Sequence, residues 1–422
     1  MPGPVFSTHR LAALCIFVFF ISVFIYSAAS VHHGNNPVQQ IKNTASGAAS
    51  SAANMFKHEQ ATMSESFLQL YESIRTNVSA EMYKDASGQE YKINEHGPWW
   101  KEALRNEILI VDIDTRVPDG DNELWNNDRM DWANMNAEKD GGMVSASFMN
   151  HFLYCKHLSN PNFLDSGLTP AAQIHGYDYR FFNARSMETE GYHNTWVKPH
   201  VLSELLESYR FVVFVDADAT IQNLELPIEW LFNRWGITPS TSIAMPLDTR
   251  QVLNGDENAS NDSKGKLALN TGVVIAQALP HTFEMMKAWK ECPSEKQYPG
   301  CANWKQNWSH EQKAFSEYIR WDYNPSGNEI IEIPCDDAMG YPGINKHQHI
   351  LSKCAGTFLR HHTVDKAMTK KSTEEAMLQA MTDVMHKMLQ QNKEKFWVKE
   401  EEQKKTAGRM GGNEPVMPGS KA

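Results

Sequence analysis

Short apolar runs alternate with stretches of helical spacing along the middle of this 422-residue chain. Runs of β-branched and aromatic residues bounded by polar ones predict strands at 107–112, 175–182, 211–215, 267–276 and 330–333. Apolar residues spaced three and four apart predict helices at 145–156, 196–206 and 281–292. This alternation predicts an α/β fold in which helices flank a central, mostly parallel sheet.

The run at 211–215 is the most informative, because five consecutive apolar residues are followed by Asp216 and Asp218. A strand that is apolar on both faces is typical of the middle of a parallel sheet. Residues i and i+2 of a strand point the same way, so the two carboxylates are expected to converge on one hard cation beyond the strand. The alternative is a polar turn in which an Asp only caps the next element. A further pair, Asp112 and Asp114, follows the first strand and is expected to contact a nucleotide or to cap a turn.

Two enzyme chemistries use such a carboxylate pair. Nucleotide-sugar glycosyltransferases hold Mn²⁺ or Mg²⁺ against a diphosphate with Asp-x-Asp. Phosphatases of the haloacid dehalogenase type use Asp-x-Asp-x-Thr as nucleophile and acid/base. The stretch from Asp216 to Thr220 satisfies both patterns, and a phosphatase would also need Asp336 and Asp337 as metal ligands. The motif alone does not decide between the two.

The N-terminus predicts a membrane anchor. Residues 11–29 carry no charge and are long enough to cross about 30 Å of hydrocarbon as a helix. His9 and Arg10 on the short side favour a cytosolic tail at 1–10, with the rest of the chain in the lumen. A cleaved signal peptide is the alternative, since small residues follow the apolar run.

The remainder of the chain divides by composition. The predicted divisions are a lumenal stem at 30–98, a catalytic domain at 99–366, a C-terminal amphipathic helix at 367–405 and a disordered tail at 406–422. Ser372 and Glu375 have the spacing of a capping box at the start of that helix. The apolar face of the helix is expected to comprise Met377, Met381, Val384, Met388 and Leu389.

Composition narrows the compartment and the partners. The net charge is −11 and no basic run is present, so nucleic acid is not expected as a partner. Outside the N-terminal apolar run, five cysteines predict two disulfides in an oxidising compartment and one remaining thiol. The preferred pairs are Cys292–Cys301 and then Cys335–Cys354. Sequons that agree with the secretory pathway occur at Asn77, Asn258, Asn261 and Asn307.

Several motifs also occur in a fixed order. They are His175-Gly-Tyr-Asp, Trp196-x-Lys198, Asp216-x-Asp218, Asn270-Thr-Gly272 and Glu311-Gln312. In this order the chain resembles the retaining glycosyltransferases of family 34, the fungal α-galactosyl- and mannosyltransferase-like proteins of the Golgi. The resemblance spans about residues 105–365. It implies that 99–366 form a nucleotide-diphospho-sugar transferase domain of the GT-A type.

The resemblance implies a role for each matching position. Asp216 and Asp218 would bind Mn²⁺ or Mg²⁺, and a histidine near the end of the domain would complete the site. Adjacent histidines in a strand face opposite ways, so one of His361 and His362 is expected to serve; the sequence does not say which, and His361 is narrowly preferred. Lys198 would approach the nucleotide or its phosphates, the alternative being a solvated helix residue. The residues implied beside the donor sugar are Asn270, Thr271 and Gly272. Glu311 and Gln312 would be the catalytic pair, the alternative for them being an exposed helical turn.

These features predict a metal-dependent hexosyltransferase that moves galactose or mannose from a UDP- or GDP-hexose to a glycan acceptor, with retention of configuration. The protein is expected to be a single-pass type II protein of the Golgi membrane, alone or in homo- or hetero-oligomers with other Golgi transferases. One alternative is a lumenal phosphatase of the haloacid dehalogenase type. The other is a catalytically silent scaffold that binds a transferase through the helix at 373–398.

Overall fold

The computed structural model describes residues 73–155, 175–185, 187 and 191–397. The strands in these ranges are β1 (Met82–Lys84), β2 (Glu90–Lys92), β3 (Ile108–Asp114), β4 (Asp178–Asn183), β5 (Phe211–Val215), β6 (Ala219–Ile221), β7 (Ile243–Pro246), β8 (Val273–Gln277), β9 (Ile330–Ile333) and β10 (Leu359–His361). The α-helices are α1 (Asp140–Cys155), α2 (Val197–Leu205), α3 (Ile228–Trp235), α4 (Pro280–Glu291), α5 (His310–Ala314), α6 (Arg320–Asp322), α7 (Cys335–Ala338), α8 (Met368–Gln391) and α9 (Lys393–Phe396). A π-helical turn, Phe315–Ile319, joins α5 to α6.

A six-stranded sheet with the order β4-β3-β5-β8-β7-β9 forms the centre of the fold. The pairs β3–β4, β3–β5 and β7–β9 are parallel, whereas β8 runs antiparallel to both β5 and β7. The predicted α/β fold with a mostly parallel sheet is confirmed, and the antiparallel β8 is an addition that the sequence pattern did not indicate. Strand β5 lies inside the sheet, which explains why all five of its residues are apolar.

Successive residues of β5 enter opposite layers of the core. Val213 and Val215 pack in the layer that includes Trp230 of α3, whereas Val212 and Phe214 pack in the layer that includes Trp289 of α4. Side chains of this size stabilise the fold by about 1.5–3 kcal/mol each when fully buried. The end of β5, and therefore the start of the Asp216 turn, is fixed from both sides.

A second, two-stranded sheet joins the distant parts of the site. β10 pairs antiparallel with β6, with His361 opposite Ala219. The backbone N–H of His362 also donates to the carbonyl of Asp218, 2.8 Å away. This pairing holds the late histidines beside the turn that carries the two carboxylates.

Two predicted boundaries differ from the structure. The strand predicted at 267–276 begins only at Val273, because the Asn270 side chain accepts a 2.8 Å hydrogen bond from the N–H of Gly272 and folds this segment into a turn. The stem was expected to extend to residue 98, yet Val78 and Tyr83 are buried in the fold. The β1–β2 hairpin therefore packs with the domain.

The C-terminal helix begins within one residue of the predicted position 367, but the capping box predicted at Ser372 and Glu375 is wrong. α8 starts at Met368, so Ser372 lies inside the helix and is buried. The buried face consists mainly of small residues rather than the predicted methionine face, because α8 packs closely against α1 and β6. Its members are Thr369, Ser372, Thr373, Ala376, Ala380 and Val384.

Both predicted disulfides, Cys292–Cys301 and Cys335–Cys354, are present, and Cys155 is buried outside them. Within the described part of the chain, no helix is both long and apolar enough to cross a bilayer. The predicted anchor at 11–29 and the predicted tail at 406–422 lie outside the described residues.

Candidate active site

The two carboxylates after β5 meet a histidine from β10. The Nε2 atom of His361 lies 3.0 Å from Oδ1 of Asp218 and 3.9 Å from Oδ2 of Asp216. One ligand atom from each residue lies within 4.8 Å of the other two. This places two of the predicted ligands and the preferred histidine around one point. His362 has both ring nitrogens buried with no hydrogen-bond partner among the described residues, and its ring packs on Tyr341.

Gly272 leaves room for this histidine. A Cβ atom on Gly272 would lie 2.0 Å from Cε1 of His361, far inside any carbon–carbon contact. The carbonyl of Gly272 also accepts a 2.8 Å hydrogen bond from the N–H of Asp216. Glycine at this position therefore allows the backbone to touch both the carboxylate turn and the imidazole.

Lys198 is a buried cation of the site rather than a solvated helix residue. It lies in the first turns of α2, and its Nζ is 3.2 Å from Oδ2 of Asp216, 3.6 Å from Oε1 of Glu311 and 3.3 Å from the carbonyl of Thr271. A buried ammonium group needs such partners, because desolvation otherwise disfavours its charge. Lys198 thus links the carboxylate pair to the predicted catalytic helix.

The predicted sugar-side residues form one connected network. Thr271 donates from its hydroxyl to Oε1 of Glu311 at 2.9 Å, and its N–H donates to Oε1 of Gln312 at 3.1 Å. Nε2 of Gln312 donates to Oδ2 of Asp248 at 2.7 Å. Oε2 of Glu311 is buried and has no hydrogen-bond partner among the described residues. The amide of Gln312 is therefore held at both ends, whereas Glu311 retains an oxygen for a ligand.

Two residues of this site were missed by sequence reasoning. Asp248 lies in the loop after β7, and burial raises the pKa of its carboxyl above the ordinary value. Lys366 lies 3.3 Å from Oδ2 of Asp218, with 52% of its side chain exposed. Both are single charged residues outside any periodic pattern, so no signal in the sequence distinguishes them from surface charges.

The charges of the cluster perturb one another. Burial, the largest effect, raises the pKa of Asp216 even though Lys198 opposes it. Burial also acts upward on Asp218, but His361 and Lys366 outweigh it and hold the pKa of that carboxyl well below its usual range. Burial lowers the pKa of His361, but the neighbouring Asp218 outweighs this and raises it. The carboxyl of Asp218 therefore ionises more readily than that of Asp216.

Asp112, predicted to contact the nucleotide, is engaged within the protein. Its Oδ1 lies 2.7 Å from Nδ1 of His151, and its Oδ2 accepts from the hydroxyl of Tyr179 at 2.5 Å. Nε2 of the same histidine lies 3.1 Å from the carbonyl of Ala219. These contacts brace the start of β6, and the nucleotide role of Asp112 stays a prediction.

The pair required by the phosphatase alternative lies elsewhere. Asp337 accepts hydrogen bonds from Arg234 and from the indole N–H of Trp235, and Asp336 accepts from the N–H of Ala355. Neither residue belongs to the group of possible metal ligands found among the described residues. Asp336 and Asp337 therefore stabilise local structure.

Comparison with known proteins finds a family to which this part of the chain is similar. Residues 169–333, less than half of the chain, match the sequence model of the galactosyl transferase GMA12/MNN10 family, glycosyltransferase family 34. The matched segment contains Lys198, the two carboxylates after β5 and the Thr271–Glu311 network, and it ends before His361. Together with the observed sheet, this match bears out the predicted GT-A type of fold.

Two solved structures are also similar. One is a glycosyltransferase involved in the glycosylation of the major capsid of PBCV-1, with 15% identity, a TM-score of 0.40, and coverage of 63% of this chain and 98% of that chain. The other is mouse xyloside xylosyltransferase 1 in its apo form, with 8% identity, a TM-score of 0.32, and coverage of 62% and 99%. No curated protein matches the chain. Over residues 169–333 the chain is similar to the galactosyl transferase GMA12/MNN10 family, and the protein is a glycosyltransferase.

Proposed function

We propose that this glycosyltransferase moves a hexose, galactose or mannose, from a UDP- or GDP-sugar to a glycan acceptor in a metal-dependent reaction that retains configuration. The observation that carries the proposal is the convergence of Asp216, Asp218 and His361 beside a buried lysine and the network around Glu311. The nucleobase and the hexose are left to experiment, because loops that vary freely on one fold read both.

The donor atoms suit Mn²⁺ or Mg²⁺. Two carboxylates are the ligands that hard divalent cations prefer, and a neutral imidazole favours Mn²⁺ of the two. Ligand atoms that all lie within 4.8 Å of one another fit a single ion with bonds of about 2.0–2.3 Å. When bound, such an ion neutralises the charge of the diphosphate leaving group.

The protein supplies two further cations for the same diphosphate. Lys366 is half-exposed beside Asp218 and can turn toward a phosphate, since its long side chain is not packed. Lys198 is fixed by Asp216 and Glu311 and contributes positive charge without moving. Charge placed in advance stabilises a developing phosphate anion without a reorganisation cost during the reaction.

Glu311 and Gln312 serve the sugar side. The unpartnered Oε2 of Glu311 can accept a hydrogen bond from a donor-sugar hydroxyl, while Lys198 and Thr271 hold its other oxygen. Gln312 is held by Asp248 and by the N–H of Thr271, so it orients the pocket. In a retaining reaction the acceptor proton passes to the leaving phosphate on the same face, and no general base is required there.

The cellular location and the membrane anchor remain part of the proposal. The uncharged run at 11–29 supports a type II anchor, with the catalytic domain in the Golgi lumen, and the disulfides agree with an oxidising compartment. Association with other copies or other Golgi transferases is also part of the proposal, and the exposed apolar side chains Leu378, Met385 and Leu389 of α8 offer a surface for it.

A donor screen with the full-length chain in detergent tests the proposal. Release of UDP or GDP from UDP-galactose, UDP-glucose and GDP-mannose is measured with Mn²⁺ and with chelator. We expect one donor to be cleaved only with the metal, and Asp218→Asn to reduce the rate at least 100-fold. Asp131→Asn, at an exposed loop carboxylate, is the matched control and should leave the rate unchanged. Release of phosphate from phosphomonoesters, with every sugar donor inert, would contradict the proposal.

A further inference from the structure

An exposed indole borders the site. Trp308 is 68% exposed, the largest fraction among the large apolar side chains of the described residues. It lies in the loop that enters α5, two residues before His310 and three before Glu311. Since water contact with so much apolar surface is unfavourable, an indole held open beside a reactive site is a candidate contact for a ligand.

Trp308 shares a small cavity with the catalytic network. The cavity is lined by Trp308, Gln312 and Lys313 from the α5 side and by Asp248, Gln251 and Ser260 from the loop after β7. Gln312 and Asp248 are the hydrogen-bonded pair that borders the donor-sugar residues. A molecule resting on Trp308 would therefore reach the side of the pocket where the transferred sugar is received.

The indole is held by a stack of imidazoles. Its ring meets that of His310 edge to face, with centroids 6.0 Å apart and planes at 79°. His310 in turn stacks on His193, with centroids 3.6 Å apart and planes at 5°. A side chain supported in this way loses little rotamer freedom when a ligand binds.

We propose that Trp308 is the stacking platform for the acceptor, and that the acceptor unit bound there is a pyranose of a glycan. This inference rests on the proposed function. The axial C–H groups of a pyranose give it an apolar face that stacks on an aromatic ring, while its hydroxyls need polar partners at the ring's edge. Gln251 and Ser260 supply such partners around the same cavity, while the ammonium of Lys313 there donates to the carbonyl of Asn261. A flat indole edged by amide and hydroxyl groups fits a sugar better than an extended apolar peptide.

The sequon at Asn307 shapes the experiment. Asn307, Trp308 and Ser309 form an acceptor sequence for N-glycosylation, and changing residue 308 would alter how well that sequence is used. Every protein in the test therefore carries Asn307→Gln, including the parent. Differences between variants then report on the side chain at 308 alone.

Steady-state transfer by the full-length Asn307→Gln chain tests the platform, with mannotriose and galactotriose as acceptors and the donor found in the screen. We expect Trp308→Ala to raise the acceptor KM about tenfold, the equivalent of a 1.4 kcal/mol stacking contact. Trp308→Phe, which keeps a ring, should stay within about threefold of the parent, on the scale of aromatic contacts. The loss should fall on the acceptor, so the KM for the donor and the donor hydrolysis without acceptor should follow the parent. Trp397→Ala, at another indole that is 63% exposed, should change neither the acceptor KM nor the donor KM.

Several outcomes would overturn the inference. An unchanged acceptor KM in an active Trp308→Ala enzyme would remove the platform and leave the proposed function standing. The inference would also be overturned if the enzyme hydrolysed the donor, transferred sugar to neither trisaccharide, and transferred it to a protein acceptor. Trp308 would then mark a protein-binding surface. A parent that hydrolyses no donor would instead remove the proposed function and the platform with it.

Discussion

Gly272→Ala offers a test of the site in which a single methyl group is added. The new Cβ would lie 2.0 Å from Cε1, 2.6 Å from Nδ1 and 2.7 Å from Nε2 of His361. Ordinary carbon contacts are about 3.5–4.0 Å, so the imidazole must move by roughly 1.5–2 Å. The backbone itself can accept alanine, because no left-handed φ is found at Gly272.

The imidazole of His361 has little freedom to move without losing its contact with Asp218. The backbone N–H of His361 donates to the carbonyl of Gly340 at 3.0 Å, and Nδ1 of the ring lies 3.2 Å from Sδ of Met339. A ring displaced by this amount no longer has Nε2 beside Asp218. Disturbing groups that orient a metal ligand reduces affinity by about 10–100-fold, and displacing the ligand itself should reach the upper end, about 2.7 kcal/mol.

Calorimetric titration of Mn²⁺ into the purified full-length protein measures this loss, and thermal unfolding confirms that the variant is folded. Gly120→Ala is the matched control, because the atoms nearest its added Cβ belong to the flexible side chain of Glu123. Wild-type Mn²⁺ affinity in a folded Gly272→Ala protein would refute the reasoning. It would mean that His361 does not hold the ion.

Three further predictions concern stability. Lys198→Met leaves Asp216 facing Glu311 without its buried cation and should cost about 3–5 kcal/mol of unfolding free energy in metal-free urea titrations; a cost below 1 kcal/mol would show that the lysine is dispensable. Replacing Cys335 and Cys354 by serine opens a loop with a sequence separation of 19 and should cost about 3 kcal/mol, measured in the same way; an unchanged midpoint would contradict this. Burial lowers the pKa of His175 to about 3, so between pH 6.5 and 3 its imidazole is protonated in the unfolded chain and neutral in the folded chain. Stability should therefore fall as pH drops from 6.5 toward 3, by up to about 1.4 kcal/mol per pH unit, and His175→Gln should lose this component; identical slopes would argue against it.

The sheet and the carboxylate turn were predictable because their signals are local and periodic. Five apolar residues before Asp216 indicated a buried strand, and that strand is β5. The hairpin of β1 and β2 gave no such signal, since each strand has three residues and only Tyr83 is fully buried. The capping box was misread because Ser372 and Glu375 have capping spacing, while α8 already begins at Met368 and packing against α1 buries the serine.

The candidate site likewise has residues that the sequence predicted and residues that only the structure shows. Motif order placed Lys198, Thr271 and Glu311 together, and the structure joins them by direct contacts. Asp248 and Lys366 arrive from loops with no periodic pattern, so only the folded chain brings them to the site. The choice between the two adjacent histidines depends on which face of β10 meets the carboxylates; the sequence does not show this, and the structure places His361 beside Asp218.

The most direct test of the account is to locate the ion. Crystals of the protein grown with Mn²⁺ and UDP or GDP, measured at the manganese absorption edge, would show its position by anomalous scattering. The account predicts one peak bonded to Asp216, Asp218 and Nε2 of His361, with the diphosphate on its open side. A peak at Asp336 and Asp337, or bound nucleotide without any peak beside Asp218, would contradict it.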